Sequence, residues 1–461
     1  MRFSVEEVEV GPFLVDLTTG RILRDGIELG LRPQAFRVFK TLIQNRGQYV
    51  DHEHMIVEAW DGTVVSRHTV DVTVAELKKT LQEFGWWITH RPKLGYRLDV
   101  PKSDDLIRKG WHFWNQRTRE GFENSLEIFQ AAALQDGSDF RAYEGLAASY
   151  LTLGSYCMRP PGELHPLFMD AHSRAVALAG MTPELRSHYG HALHMFERKF
   201  PEAESELLEA KRQKPSLTRV YQLLAMLYVC TARFEDALQA LAEGFKIDPL
   251  WPVLPAVEIS VRFFARDFDG AVECGRKSVE LHPYVHVGRA FYAQALEYSG
   301  RPEDALRQYQ MGYMMSPGLT WLHALEAACL SKIGRKSDAL KIVSEIEPMR
   351  TMEYVDAYYL AVMYEALGER DRALGELERA REENSINLCL LEVDPRMDTL
   401  RHDSRFQRLR RDLFGHQRPQ SFGFVANIVN SGVKPRSSIS SIALTIRAIS
   451  SPRSFVGFSS F

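Results

Sequence analysis

The sequence predicts a multidomain protein: a small α+β domain over residues 1–101, then an all-α array of helical repeats over 104–415. Three observations carry this reading. Residues 10–30 alternate apolar and polar side chains between turn signals. Alanine recurs every 34 residues from Ala203 to Ala373. Charge is partitioned rather than uniform, with net −1 over 1–101, −7 over 102–415 and +5 over 416–461.

The first domain reads in order. VGPFLVDLTTGRILRDGIELG, with turns at Thr19-Gly20 and Asp25-Gly26, predicts short antiparallel strands. LRPQAFRVFKTLIQNRG predicts a helix that starts at Pro33, buries Phe36, Phe39, Leu42 and Ile43, and stops at Gly47. A second helix opens at Asp51, and a third opens at Ser66 and buries Val70, Val74, Leu77 and Leu81. WWITHRPKLGYRLDV closes the domain as a β-hairpin through Pro92 and Gly95. Strands, three helices and a hairpin in this order make a winged helix. Trp86-Trp87, at the junction of helix and hairpin, is expected in the core rather than stacked on a base.

These residues resemble the OmpR/PhoB-type DNA-binding domain of transcriptional regulators over about residues 5–100. The motifs that carry the resemblance are L-x-P-x-x-F-x-V-F from Leu31 to Phe39, Trp60, TVDV at 69–72, and I-x-x-x-P-K-x-G-Y-R from Ile88 to Arg97. The resemblance implies a third helix in the major groove of double-stranded promoter DNA and a wing at the minor groove. The residues it assigns to bases and phosphates are Arg67, His68, Thr69, Thr73, Ala75, Glu76, Lys78 and Lys79, with Arg91, Lys93 and Arg97 on the wing. The family usually carries arginine where this helix has Ala75 and Glu76, and threonine where His90 stands, so a different base preference is expected. On this placement Glu76 faces a cytosine amino group or a phosphate. Residues 64–83 hold three basic and three acidic side chains. Phosphate contacts supply most non-specific affinity, so one domain alone is expected to bind weakly. Two copies, a homodimer or a cooperative pair, are expected on direct or inverted half-sites.

The second region keeps a strict phase. Ala203, Ala237, Ala271, Ala305, Ala339 and Ala373 are 34 apart, as are Pro215, Pro249, Pro283 and Pro317, and Gly300, Gly334 and Gly368. Alanine allows close helix approach, glycine ends the first helix of a pair in a left-handed conformation, and proline cannot continue the second. The pattern reaches upstream through Ser125, with an insertion expected in GSYCMRPPGELHP at 154–166, for about eight units. It resembles the tetratricopeptide-repeat (TPR) family over about 104–395. The resemblance implies a solenoid whose concave face takes a protein, peptide or ligand. Counting back from each alanine, that groove is assigned to His188, Met195, Arg219, Gln222, Met226, Phe263, Gln294, Glu297, Trp321 and Tyr358. The set is mixed and aromatic, which does not suit capture of a carboxylate tail. The stretch 391–413 resembles the closing segment of regulators of this kind and is expected to cap the array. Residues 416–461, with 11 serines, five basic residues and no acid, are expected to be a disordered basic tail.

The remaining chemistry is sparse. With 45% apolar and 25% charged residues the composition is that of a folded soluble protein. Its five scattered cysteines contain no C-x-x-C, so neither a disulfide framework nor a structural zinc site is expected. His188, His191 and His194 drift around a helix with no acidic or cysteine partner in register, so they are expected to hold no metal. No phosphate loop, nucleophile elbow or paired-carboxylate signature is visible, so neither an enzyme nor a cofactor is expected. The acidic start has no apolar h-region and no stretch suits a membrane span, so a cytoplasmic location without membrane contact is expected. No receiver domain precedes the winged helix, so control by phosphorylation in cis is not expected. The function expected is a one-component transcriptional regulator that reads DNA with 1–101 and receives a signal through the repeats. The second reading is an interaction scaffold whose winged helix no longer binds DNA.

Overall fold

The computed structural model describes residues 7–24, 27–100, 102–316 and 318–415. The expectations for Pro317 and for the tail at 416–461 lie outside the described residues. The chain divides into two compact units, Met1–Gln116 with Glu120–Leu146, and Arg117–Arg119 with Ala147–Phe461.

In the first unit, β1 (Glu7–Val10), β2 (Phe13–Asp16), β3 (Arg21–Arg24) and β4 (Ile27–Glu28) form an antiparallel meander in chain order. The turn after β2 is built by Asp16, whose carboxylate accepts from the backbone N–H groups of Thr18 and Thr19 at 2.8 and 3.0 Å. Helix α1 (Pro33–Gln44) has proline in its first turn and buries Phe36, Phe39, Leu42 and Ile43. Helix α2 (His52–Trp60) is capped by Asp51, and α3 (Arg67–Thr80) by Ser66, each accepting a backbone N–H of the first turn. A 3-10 turn at Gln82–Trp87 leads into β5 (Ile88–Arg91) and β6 (Gly95–Leu98), an antiparallel hairpin.

This is the winged helix the sequence predicts, and its packing shows why the residue types recur. Val70, Val74, Leu77 and Leu81 are buried under α3. Trp87 lies in the core, edge-on to Phe13. Val50 bridges to Tyr96 and ties the hairpin to the rest of the domain. Gly95 is required there: its φ is +92°, and a Cβ would lie 2.0 Å from the carbonyl oxygen of Val50. Helices α4 (Ser103–Asn115) and α5 (Arg119–Gln135) follow, and α6 (Phe140–Ser155) straddles the two units.

The second unit continues the helix pairs. After α7 (Pro161–Ala179) come α8 (Pro183–Ala192) with α9 (Phe200–Gln213), α10 (Thr218–Cys230) with α11 (Phe234–Ile247), and α12 (Leu254–Phe264) with α13 (Phe268–Leu281). Then follow α14 (His286–Tyr298) with α15 (Pro302–Met315), α16 (Thr320–Lys332) with α17 (Lys336–Met349), and α18 (Ala357–Ala366) with α19 (Arg370–Glu382). The six in-phase alanines lie on the second helix of each pair, and all are fully buried. The corner of each pair is left-handed, at Gly300, Gly334 and Gly368 as expected, and at Arg198, Ala232 and Arg266 one to three periods earlier. First helices pack on first helices, α10 on α12 and α12 on α14, so they form the inner layer of a TPR solenoid. Among the described residues no helix is long and apolar enough to cross a membrane.

The segment expected as a cap does two things. Helix α20 (Ser404–Phe414) packs on α19. The 3-10 turns Ile386–Leu390 and Pro395–Leu400 instead lie across the inner layer, the first against α10 and the second against α18. Asn384 donates to the Phe196 carbonyl at 2.8 Å, Asn387 to Asp356 at 2.8 Å, and Arg266 to Asp398 at 2.9 Å. Val393 is fully buried in the apolar cluster that contains Leu224, Val261 and Phe263.

Candidate nucleic-acid interface

Helix α3 shows solvent one side of its cylinder, because the apolar positions 70, 74, 77 and 81 take the other. Arg67, His68, Thr69, Val72, Ala75 and Lys79 are exposed, and Lys78 is half-buried. Thr73 is not on that face. It is buried one turn from Val70 and Leu77, and its hydroxyl donates to the Thr69 carbonyl at 2.8 Å, so it is removed from the set of base-facing residues.

Glu76 also departs from expectation. Its carboxylate is bound by both Nε and Nη2 of Arg32, at the start of α1, which lies 44 residues away in the chain. That pairing holds the Glu76 carboxyl below its ordinary range. In the free protein Glu76 therefore presents a neutralised pair rather than a bare charge. Arg32 was not among the residues expected at the interface; its position just before a proline-started helix marks the helix but not its partner.

The wing is held to α3 by Asp71. Tyr96 donates its phenol to Asp71 at 2.6 Å, and His52 of α2 lies 2.9 Å from the same carboxylate oxygen. These two hydrogen bonds keep the Asp71 carboxyl below its ordinary range, while burial and then Asp71 push the Tyr96 phenol up. The His90 ring lies 4.7 Å from that of Tyr96. Arg91 and Lys93 are exposed at the hairpin tip. Arg97 is engaged already: it pairs with Asp99 at 2.6 Å and lies 4.6 Å over the Tyr49 ring.

Most of the residues assigned to the solenoid groove are covered. Phe263 and Tyr358 are fully buried, and Tyr358 donates to Asp394 of the crossing segment at 2.8 Å. His188, Met195, Gln294 and Trp321 are buried as well, Trp321 with its ring 5.4 Å from that of Tyr359. For Phe263 and Tyr358 the physical reason is the segment 384–401, which brings Val393 and Asp394 to them, whereas Met195 meets Ser155 at the end of α6 at 3.3 Å. Arg219, Gln222, Met226 and Glu297 remain half-buried; Gln222 accepts from the Trp251 indole at 3.1 Å, and Glu297 pairs with Lys332.

With this geometry described, comparison with known proteins is specific for the first domain. Residues 26–98 match the family described as transcriptional regulatory protein, C terminal. The N-terminal domain is of the OmpR/PhoB type. It is 31% identical over 98 residues to the transcriptional activator CadC of Escherichia coli K12, covering 20% of this chain and 19% of CadC. It is 29% identical over 97 residues to the transcriptional regulatory protein KdpE of Mycobacterium tuberculosis H37Rv, covering 20% and 43%. The chain thus matches less than half the length of either relative. For the helical region, a human IFIT1 dimer with PPP-AAAA matches at 14% identity and TM-score 0.47, covering 71% of this chain and 80% of that one. The Pseudomonas aeruginosa pilF structure matches at 17% identity and TM-score 0.31, covering 47% and 92%.

Proposed function

We propose that this chain is a cytosolic one-component transcriptional regulator, binding promoter DNA as two copies and taking its signal through the TPR region. The observation that carries the reading is the outward face of α3, with Arg67, His68, Val72, Ala75 and Lys79 beside the exposed wing cations Arg91 and Lys93. Arginine and lysine supply phosphate and guanine contacts, and the small apolar pair suits a thymine methyl. The signal-receiving part is the inner layer of the solenoid. There a protein or peptide partner displaces or reshapes the 384–401 segment, entering beside Arg219, Gln222 and Met226. Selection of the full chain against a random double-stranded DNA library tests the reading. Enrichment of a motif with two half-sites is expected, and enrichment of nothing favours the scaffold. That second reading draws on one observation, the Arg32–Glu76 pair, which closes a charge of the recognition helix within the protein itself.

A further inference from the structure

The inner layer contains a cluster that DNA reading does not use. His194 lies in the π-helical turn Leu193–Glu197 after α8, Cys230 ends α10, and Cys389 lies in the 3-10 turn Ile386–Leu390 of the crossing segment. Nε2 of His194 is 3.2 Å from Sγ of Cys230, and one ligand atom from each of the three residues lies within 4.8 Å of the others. All three side chains are buried.

We propose that His194, Cys230 and Cys389 bind one thiophilic metal ion of the Cu+ or Zn2+ class. The donor set is soft, two thiolates and an imidazole, which selects these ions over hard cations. Metal–sulfur bonds of about 2.3 Å and metal–nitrogen bonds of about 2.0 Å place such ligand atoms about 3.5–4 Å apart. The ligand atoms here, 3.2 Å apart between His194 and Cys230 and all within 4.8 Å, bracket that spacing. Metal binding requires both thiols to give up their protons to solvent. Among the described residues no fourth histidine, cysteine or carboxylate joins the group. Three protein ligands suit Cu+ directly, and Zn2+ would complete its shell with water. The three ligands are 36 and 159 residues apart in the chain, so one ion would fasten the crossing segment to α8 and α10 at once.

The test uses the full chain, reduced with a phosphine, stripped with a chelator and kept free of oxygen. It is titrated with Zn2+ in one arm and with Cu+ against a competing chelator in the other. Metal per chain after gel filtration, melting temperature and alkylation of individual cysteines are read. The proposal expects one ion per chain, a raised melting temperature, and protection of Cys230 and Cys389 but not Cys274. Cys389→Ser and Cys230→Ser should lose the ion, whereas Cys329→Ser should keep it. His194→Gln leaves both thiols in place and is the second variant should the cysteine changes unfold the protein; it should also lose the ion. Saturation in either arm supports the site, and the arm that saturates names the ion. The proposal is overturned by binding in neither arm, by binding that survives His194→Gln or both cysteine changes, or by a Cys230–Cys389 disulfide that resists reduction and leaves the chain unloaded.

Discussion

Tyr96 on the wing donates a 2.6 Å hydrogen bond to Asp71 on α3, so a phenol–carboxylate contact joins the hairpin to this helix. Tyr96→Phe removes it and leaves the ring packing. A hydrogen bond of this kind contributes about 0.5–1.5 kcal/mol net. Hydrogen exchange in the full chain should therefore speed up in 67–80 and 88–98 while α1 stays protected.

The same contact sets a pH window. The Asp71 carboxyl is held below its ordinary 3.8, so its contribution is complete above that value and is lost as pH falls through the lowered folded value. The Tyr96 phenol is raised above its ordinary 10.0, so its contribution is complete below 10.0 and is lost as pH rises further. Protection of the wing should drop outside these limits; within them the His52 imidazole, which bonds the same Asp71 oxygen, also bears on the contact. Tyr96→Phe should abolish the alkaline loss.

Because Arg32 is committed to Glu76, Glu76→Gln should free a guanidinium beside α3. Affinity for any duplex should rise, and the logarithmic salt slope should steepen by about 0.9 if Arg32 gains one phosphate. Fluorescence anisotropy across a salt series reads both. Arg32→Ala should do the reverse, since it leaves a bare carboxylate facing DNA.

Arg91 and Arg97 should differ although both lie on the wing. Arg91 is exposed, so Arg91→Ala should flatten the salt slope by about 0.9 and weaken all sequences alike. Both lie over the Tyr49 ring, but Arg97 alone of the two is paired with Asp99, so Arg97→Ala should leave the slope unchanged. Equal slope changes in the two variants would contradict this placement.

Asp394 and Arg396 form a buried pair at 2.6 Å within the crossing segment, and Tyr358 donates to the same carboxylate. Asp394→Ala strands a buried guanidinium at a cost of about 3–5 kcal/mol. Each repeat contacts mainly its neighbours, so the loss should stay local. Hydrogen exchange should rise across 384–401 and α18, while α9 and α11 keep their protection.

Local patterning revealed the fold. Pro33, Asp51 and Ser66 announce helix starts through backbone chemistry that acts within a few residues, and the 34-residue alanine phase announces pairs that recur. Pairing across the fold was hidden. Arg32 and Glu76 meet 44 residues apart, and nothing in either neighbourhood specifies the other. The resemblance assigns Thr73 to the DNA-facing set, yet it lies on the buried arc of α3 and satisfies its hydroxyl on the Thr69 carbonyl. Phe263 and Tyr358 have the phase of an open groove. What covers them is 384–401, a non-repeating stretch whose residues carry no period to read.

The left-handed corners of the array have a consequence for how it can evolve. Later corners are glycine, but Arg198 and Arg266 accept φ values of +53° and +66° that cost an L-residue about 1–3 kcal/mol. Both arginines use that position to grip the returning chain, Arg198 at Asn384 and Arg266 at Asp398. The two grips are two repeats apart on the array, and the returning segment with its two 3-10 turns spans that distance. Solenoids commonly gain or lose whole repeats by duplication and deletion, because one unit is much like the next. Here the returning segment acts as a gauge: adding or removing a unit between the two grips would leave it too short or too long, so the number of repeats in this stretch is locked.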